Sequence, residues 1–126
     1  MDDKPTPGAG DVKITLGGEE HVLKCSAEAA IAVSRMPGGF YGVAGQPGVA
    51  ARILGCDIDT MSAVIRAGLG LSGSAVKGLE AMIYESGLLD IRSRLSGFIG
   101  ALANGGKPIV VEGGDDADKG PPGAGA

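Results

Sequence analysis

The stretch Thr60-Met61-Ser62-Ala63-Val64-Ile65-Arg66-Ala67-Gly68-Leu69 constrains the rest of the chain most. Its apolar residues Met61, Val64, Ile65 and Leu69 recur at i, i+3, i+4 and i+8, one face of an amphipathic helix. Asp57, Asp59 and Thr60 precede it as candidate N-caps and as negative charge at the positive end of the helix dipole. Gly68 and Gly70 stand where a C-terminal stop is expected. A strand-like pattern lies before this helix and two further helical patterns lie after it. It is therefore the expected centre of a small core.

What can surround that centre is limited by glycine and by the scarcity of aromatic residues. There are 24 glycines in 126 residues, and Phe, Tyr and Trp together make up 3%. A core without Trp must be built from Ala, Val, Ile, Leu and Met, each of which removes little area from water. Fifteen of the glycines lie between residues 12 and 104, where each one inside a helix costs roughly 0.5–1 kcal/mol. The expectation is one small domain of modest stability that gains from a partner.

The charge is unevenly placed. The whole chain carries −4, yet residues 12–111 hold nine basic and eight acidic side chains. The acidic excess sits at the ends, in Asp2, Asp3, Asp11, Glu112, Asp115, Asp116 and Asp118. A nucleic-acid surface would gather Lys and Arg on one face, often beside aromatics, and no such cluster is visible. No apolar run approaches a membrane span, and Met1-Asp2-Asp3-Lys4-Pro5 does not read as a signal peptide. The expected location is the cytoplasm, with no nucleic-acid or membrane partner. Cys25 and Cys56 are far apart, lack a CxxC spacing, and are expected as reduced thiols.

Taken in order, residues 1–11 are rich in Pro, Gly and Asp and are expected to be disordered. Val12, Ile14 and Leu16 alternate with Lys13 and Thr15 as a half-buried strand, and Gly17-Gly18 is a hairpin turn dipeptide. The returning arm, from Glu20 to Cys25, places His21, Leu23 and Cys25 on one face. Ser26 is a good N-cap for a helix over Ala27–Met36, which Pro37-Gly38-Gly39 ends. Phe40 and Tyr41 then lie in a Gly-rich loop running to Gln46-Pro47. They serve either as a plug on the core or as an exposed partner anchor. Pro47 is placed for the first turn of a short helix through Val49, Ile53 and Leu54. After the central helix, Ser74–Ser86 offers Val76, Leu79, Met82 and Ile83 at helical spacing, with Gly87 as stop. Leu88, Ile91, Leu95, Phe98, Ile99 and Leu102 make the longest apolar stripe. Pro108–Val111 reads as a short extended segment, and the remainder of 105–126 as a disordered acidic tail. The fold class is α+β and mostly helical: a hairpin on four to five short helices, as one domain over residues 12–104.

Motifs for chemistry are weak. Gly68-Leu69-Gly70-Leu71-Ser72-Gly73 matches the dinucleotide fingerprint in letters, but a helix precedes it where a strand is required. Asp57-Ile58-Asp59 resembles half of a divalent-metal site without the converging oxygens such a site needs. His21 and Cys25 have no second ligand pair for zinc. Ser26, His21 and Glu28 could supply a triad only if something activated Ser26, whose capping role already explains it. No catalytic, cofactor or metal residue is assigned, and no enzyme is expected.

The run Val12-Lys13-Ile14-Thr15-Leu16-Gly17-Gly18, a short helix from Ser26, a mid-chain helix ending Ala67-Gly68-Leu69, further helices and a polar tail form a recognisable order. Over residues 11–104 it resembles the small tail assembly chaperones of gene transfer agents and related siphophages, a family also labelled tail tube proteins. Ala27-Glu28-Ala29-Ala30 departs from the larger and more acidic first helix of that family, and the loop at 37–47 is idiosyncratic. The resemblance implies a non-catalytic morphogenesis factor of a prophage or gene transfer agent. Such a factor coats the tape-measure protein and assists the tail tube protein in assembling around it, with a homo-oligomer as a further expectation. Helix-in-groove contacts would then carry binding. The partner-binding candidates are Phe40 and Tyr41 in the loop, and Arg92, Arg94 and Phe98 on the last helix. Alternatives are a structural tube or joining subunit that assembles through the hairpin edge, and a small adaptor unrelated to phage.

Overall fold

A computed structural model describes residues 10–70 and 78–107. The elements run β1 (Val12–Leu16), β2 (Glu19–Leu23), α1 (Ala27–Ser34), α2 (Val49–Leu54), α3 (Ile58–Leu69), α4 (Leu79–Ser86) and α5 (Leu88–Ala103). This is the expected α+β, mostly helical architecture. The expected strand-like segment at 108–111, Val76 on the fourth helix, and most of both tails lie outside the described residues.

The hairpin forms where alternation and turn chemistry agree. Gly17 and Gly18 both have positive φ, 60° and 82°, as a two-residue turn between right-twisted strands requires. Val12 then faces Leu23, Ile14 faces His21 and Leu16 faces Glu19. Ile14, Leu16 and Leu23 are buried against the helices. With Leu16 opposite Glu19 across the turn, the alternating ladder turns the Lys13 carbonyl toward the open side of β1 and the Lys24 amide toward the open side of β2. Both groups are occupied. Arg94 Nη1 donates to the Lys13 carbonyl at 3.0 Å, and the Lys24 amide donates to the Gly68 carbonyl at 3.0 Å.

The second of those bonds requires α3 to lie almost on the hairpin, and Gly68 permits it. A Cβ there would stand 2.9 Å from Leu23 Cβ and 3.1 Å from the Phe98 ring. Gly68 is thus a packing residue inside the helix. The helix stop is Gly70 alone, left-handed at φ 71° with its amide on the Arg66 carbonyl. Met61, Val64 and Ile65 are fully buried, with Ile53, Ile83, Ile91, Leu95 and Phe98 packed around them. α3 is central, as its periodicity requires.

Two helix starts differ from expectation. Pro47 stands before α2, whose N-cap is Gly48, because Gly48 lies flat against Gly42 and Tyr41 and leaves no room for a ring or a Cβ. At α3 the N-cap is Asp57, but its carboxylate takes the Thr60 hydroxyl at 2.6 Å and makes no side-chain bond to the backbone. Ser26 does cap α1, accepting from the Ala29 amide at 3.1 Å. α4 is held to α3 by Arg66 and Glu80, 3.8 Å apart, with buried Ser62 between them.

The tail root is better tied than its composition suggests. Asp11, read as the end of the N-terminal tail, accepts from the Cys25 amide at 2.7 Å and pairs with Lys24 at 2.9 Å. Gly10 lies against the far end of the chain: a Cβ on it would sit 2.8 Å from the Gly106 carbonyl oxygen. Among the described residues, no helix is long and apolar enough to cross a membrane.

Candidate protein-binding loop

The segment between α1 and α2 is where sequence reasoning placed Phe40 and Tyr41, and it is built from its own backbone. The Gly42 amide donates to Gly38 at 2.8 Å, and Val43 and Gln46 exchange bonds of 3.1 and 2.9 Å across the tip. The Val49 and Ala50 amides, which open α2, donate back to Gly39 and Phe40 at 2.8 and 2.9 Å. Such closure needs backbones in contact. A Cβ on Gly38 would overlap the Pro47 carbonyl, and one on Gly48 would overlap the Gly42 amide.

Arg52 locks the closure. Its Nη1 donates to the Pro37 carbonyl at 2.9 Å and the Pro47 carbonyl at 2.8 Å, at the two ends of the loop. Its Nε donates to Thr60 Oγ1 at 2.9 Å, and Thr60 in turn donates to Asp57. One planar guanidinium thereby ties the loop, α2 and the first turn of α3 together, a role that a lysine's single ammonium cannot reproduce.

The two aromatics differ in burial. Phe40 packs against the core, while Tyr41 is 64% exposed, with the ring centroids 6.3 Å apart. Val43 at the tip is 66% exposed. Tyr41 and Val43 are thus an apolar pair displayed on a braced loop.

The other three candidates do not join them. Phe98 is fully buried, so it belongs to the core and not to a partner surface. It falls in register with Ile91, Leu95 and Leu102, and that stripe turns inward. Arg94 is committed within the chain, to Asp90 at 3.1 Å and to the Lys13 carbonyl. Arg92 reaches the Leu54 carbonyl at 3.4 Å, at the C-terminal end of α2, whereas the Phe40–Tyr41 loop meets its N-terminal end. Two residues apart on a helix means about 200° of rotation, so Arg92 and Arg94 serve different faces.

Sequence reasoning missed Arg52. The available signal was one cation in the otherwise apolar run Val49-Ala50-Ala51-Arg52-Ile53-Leu54, next to a loop bounded by two prolines. It also missed that Leu54, Tyr84 and Leu89 are exposed, at 60%, 68% and 66%.

The chemical motifs resolve into structural roles where they are described. Ser26 is a cap and Asp57 holds Thr60; His21 lies 3.9 Å from Glu19 on the hairpin. Gly68 and Gly70 belong to α3, and residues 71–73 of the glycine motif lie outside the described residues. Among the described residues, no three His, Cys, Asp or Glu side chains converge as a metal site. Both cysteines are free. Burial pushes the Cys25 thiol up from its usual range, and the nearby Asp11 charge pushes it further.

Comparison with protein-family models, curated proteins and solved structures finds no match to this chain.

Proposed function

We propose that this chain is a non-catalytic assembly factor that binds a helical partner through the Tyr41–Val43 loop, and that it acts as a phage-type tail assembly chaperone. The observation that carries the binding role is the braced loop. Aromatic side chains anchor interfaces best when their conformation is fixed before binding, because little freedom is then lost. Arg52 and the backbone closure fix the backbone that presents Tyr41 and Val43, and these two supply the apolar contact. The tail context rests on the sequence resemblance. Under it the partner is the tape-measure protein, with the tail tube protein delivered alongside it in the bacterial cytoplasm. Homo-oligomers are compatible with this role. A tube subunit that grows by strand addition is less well supported, because Arg94 and Gly68 already occupy polar groups on the two hairpin edges.

Co-expression of the full chain with the tape-measure protein of the same genome tests this. The expected result is a soluble complex that co-purifies, and that is lost in Tyr41→Ser/Val43→Ser while the far-UV CD spectrum is unchanged. Failure to bind, together with many copies of the chain in purified particles, would overturn the chaperone role in favour of a structural subunit. Retained binding in the double variant would move the contact off the loop.

A further inference from the structure

α5 carries one glycine that the chain itself does not explain. Gly97 lies in the middle of that helix with negative φ, and a Cβ on it would meet nothing within 4 Å among the described residues. Glycine there weakens the helix relative to alanine and returns no close contact within the chain. Gly68, by contrast, admits Leu23 and the Phe98 ring.

The surface around Gly97 is an unpartnered helix face. Leu89 and Ser93 precede it by two turns and one turn, so all three share a side of α5, and all three are exposed. On one flank, exposed Leu54 ends α2, and its carbonyl accepts from Arg92 Nη1 at 3.4 Å. On the other flank stand Asp90 and Arg94, a half-exposed pair at 3.1 Å. Arg94 uses Nε on Asp90 and Nη1 on the Lys13 carbonyl, and neither bond takes its Nη2.

This face is complementary to itself about Ser93. With a second α5 lying antiparallel across it, a two-fold axis beside Ser93 sets equal steps before and after that residue opposite one another. Leu89, four residues before the centre, then meets Gly97, four after it: a large side chain over the place where a side chain is missing. The axis also keeps each flank against its own counterpart. On the charged flank, Asp90 of one copy falls about 3 Å along the helix axis from Arg94 of the other, and the pairing occurs twice.

We propose that this chain self-associates through the exposed face of α5, as an antiparallel pair in which Leu89 of each copy packs over Gly97 of the other and Asp90 meets Arg94. A second copy matches the order of knob, gap and charge by symmetry, and the alternating charges fix the antiparallel sense. The inference does not depend on the tail-assembly reading, and it uses a surface that the Tyr41–Val43 loop does not supply.

Sedimentation equilibrium of the full chain tests it. One helix pair is a small interface, so the dissociation constant is expected on the order of 10–100 µM. Gly97→Gln suits the monomer, where the site is open and glutamine favours helix. It should weaken association by about tenfold or more, with no fall in the urea midpoint. Asp90→Arg and Arg94→Asp should each abolish self-association by setting like charges together, and an equimolar mixture of the two should pair again. Pairing between two variants that do not self-associate cannot come from damaged folding. Tyr41→Ser/Val43→Ser should leave the constant unchanged. A chain still monomeric at about 1 mM, ten times the weakest expected constant, would overturn the proposal. So would association that survives Gly97→Gln, a mixture that fails to pair, or loss of association in the loop variant, which would assign the contact to the loop.

Discussion

At the hairpin turn, Gly17 and Gly18 answer a question of backbone angle, and a Cβ on Gly18 would meet open space. In the loop between α1 and α2, Gly48 answers a question of distance, because the backbone of Gly42 and Tyr41 lies where its Cβ would be, and Gly38 and Gly42, at φ 78° and 93°, answer both. The first kind of glycine belongs to a local motif and can be read from a dipeptide. The second belongs to a tertiary contact, and its reason lies several residues away, nine in the case of Gly38 and Pro47. The difference also bears on what holds each bend. The hairpin turn is held by its own ladder, whereas the loop adds to its backbone bonds a side-chain tie from Arg52 to the carbonyls at both its ends.

Breaking a distance glycine should therefore cost more than breaking an angle glycine. Gly48→Ala forces Gly42 and Tyr41 away from α2 and is expected to destabilise by about 3 kcal/mol, as overpacking in a closed site does. The midpoint of urea unfolding reads this, and a loss no larger than that of the turn variant below would erase the distinction. Arg52→Ala removes both carbonyl bonds and the Thr60 bond, for an expected loss of about 2 kcal/mol. It should also speed proteolysis between residues 38 and 47, and Arg52→Lys should restore little of either. The angle effect is the smallest and can be read in both directions. Gly18→Ala places a Cβ in a left-handed residue with space around it and should cost about 1 kcal/mol. Cys56 already occupies such a conformation, at φ 60°, where the chain leaves α2. Cys56→Gly should thus be neutral or stabilise by up to about 0.5 kcal/mol, since the relief is offset by greater freedom of the unfolded chain.

The same division explains what the sequence revealed. The hairpin, the Ser26 cap and the buried faces of α3 and α5 were legible because each is written in residues a few positions apart. Phe98 was legible too, as a member of the inward stripe, and placing it on a partner surface went against its own periodicity. Gly68 looked like a helix stop because glycine near a helix end commonly is one. That it admits Leu23 and the Phe98 ring depends on how α3 crosses the hairpin and α5. The loop's aromatics were visible, but the brace that holds them was not, since nothing local connects Arg52 to Pro37. Arg92 and Arg94 looked like a pair in sequence and are separated by helix geometry. Of the candidate surface, Tyr41 alone stands exposed in a loop fixed from behind.

Gly10 and Gly106 touch, so the described backbone returns almost to its starting point. A polypeptide of that shape is topologically close to a ring. Joining Gly10 to Lys107 with a short peptide would leave the described helices and strands in place, and new ends could be opened at an exposed bend such as the Gly17-Gly18 turn. A chain trimmed to Gly10 and Lys107 would thus present its two ends side by side, and a label on one would sit next to a cargo on the other.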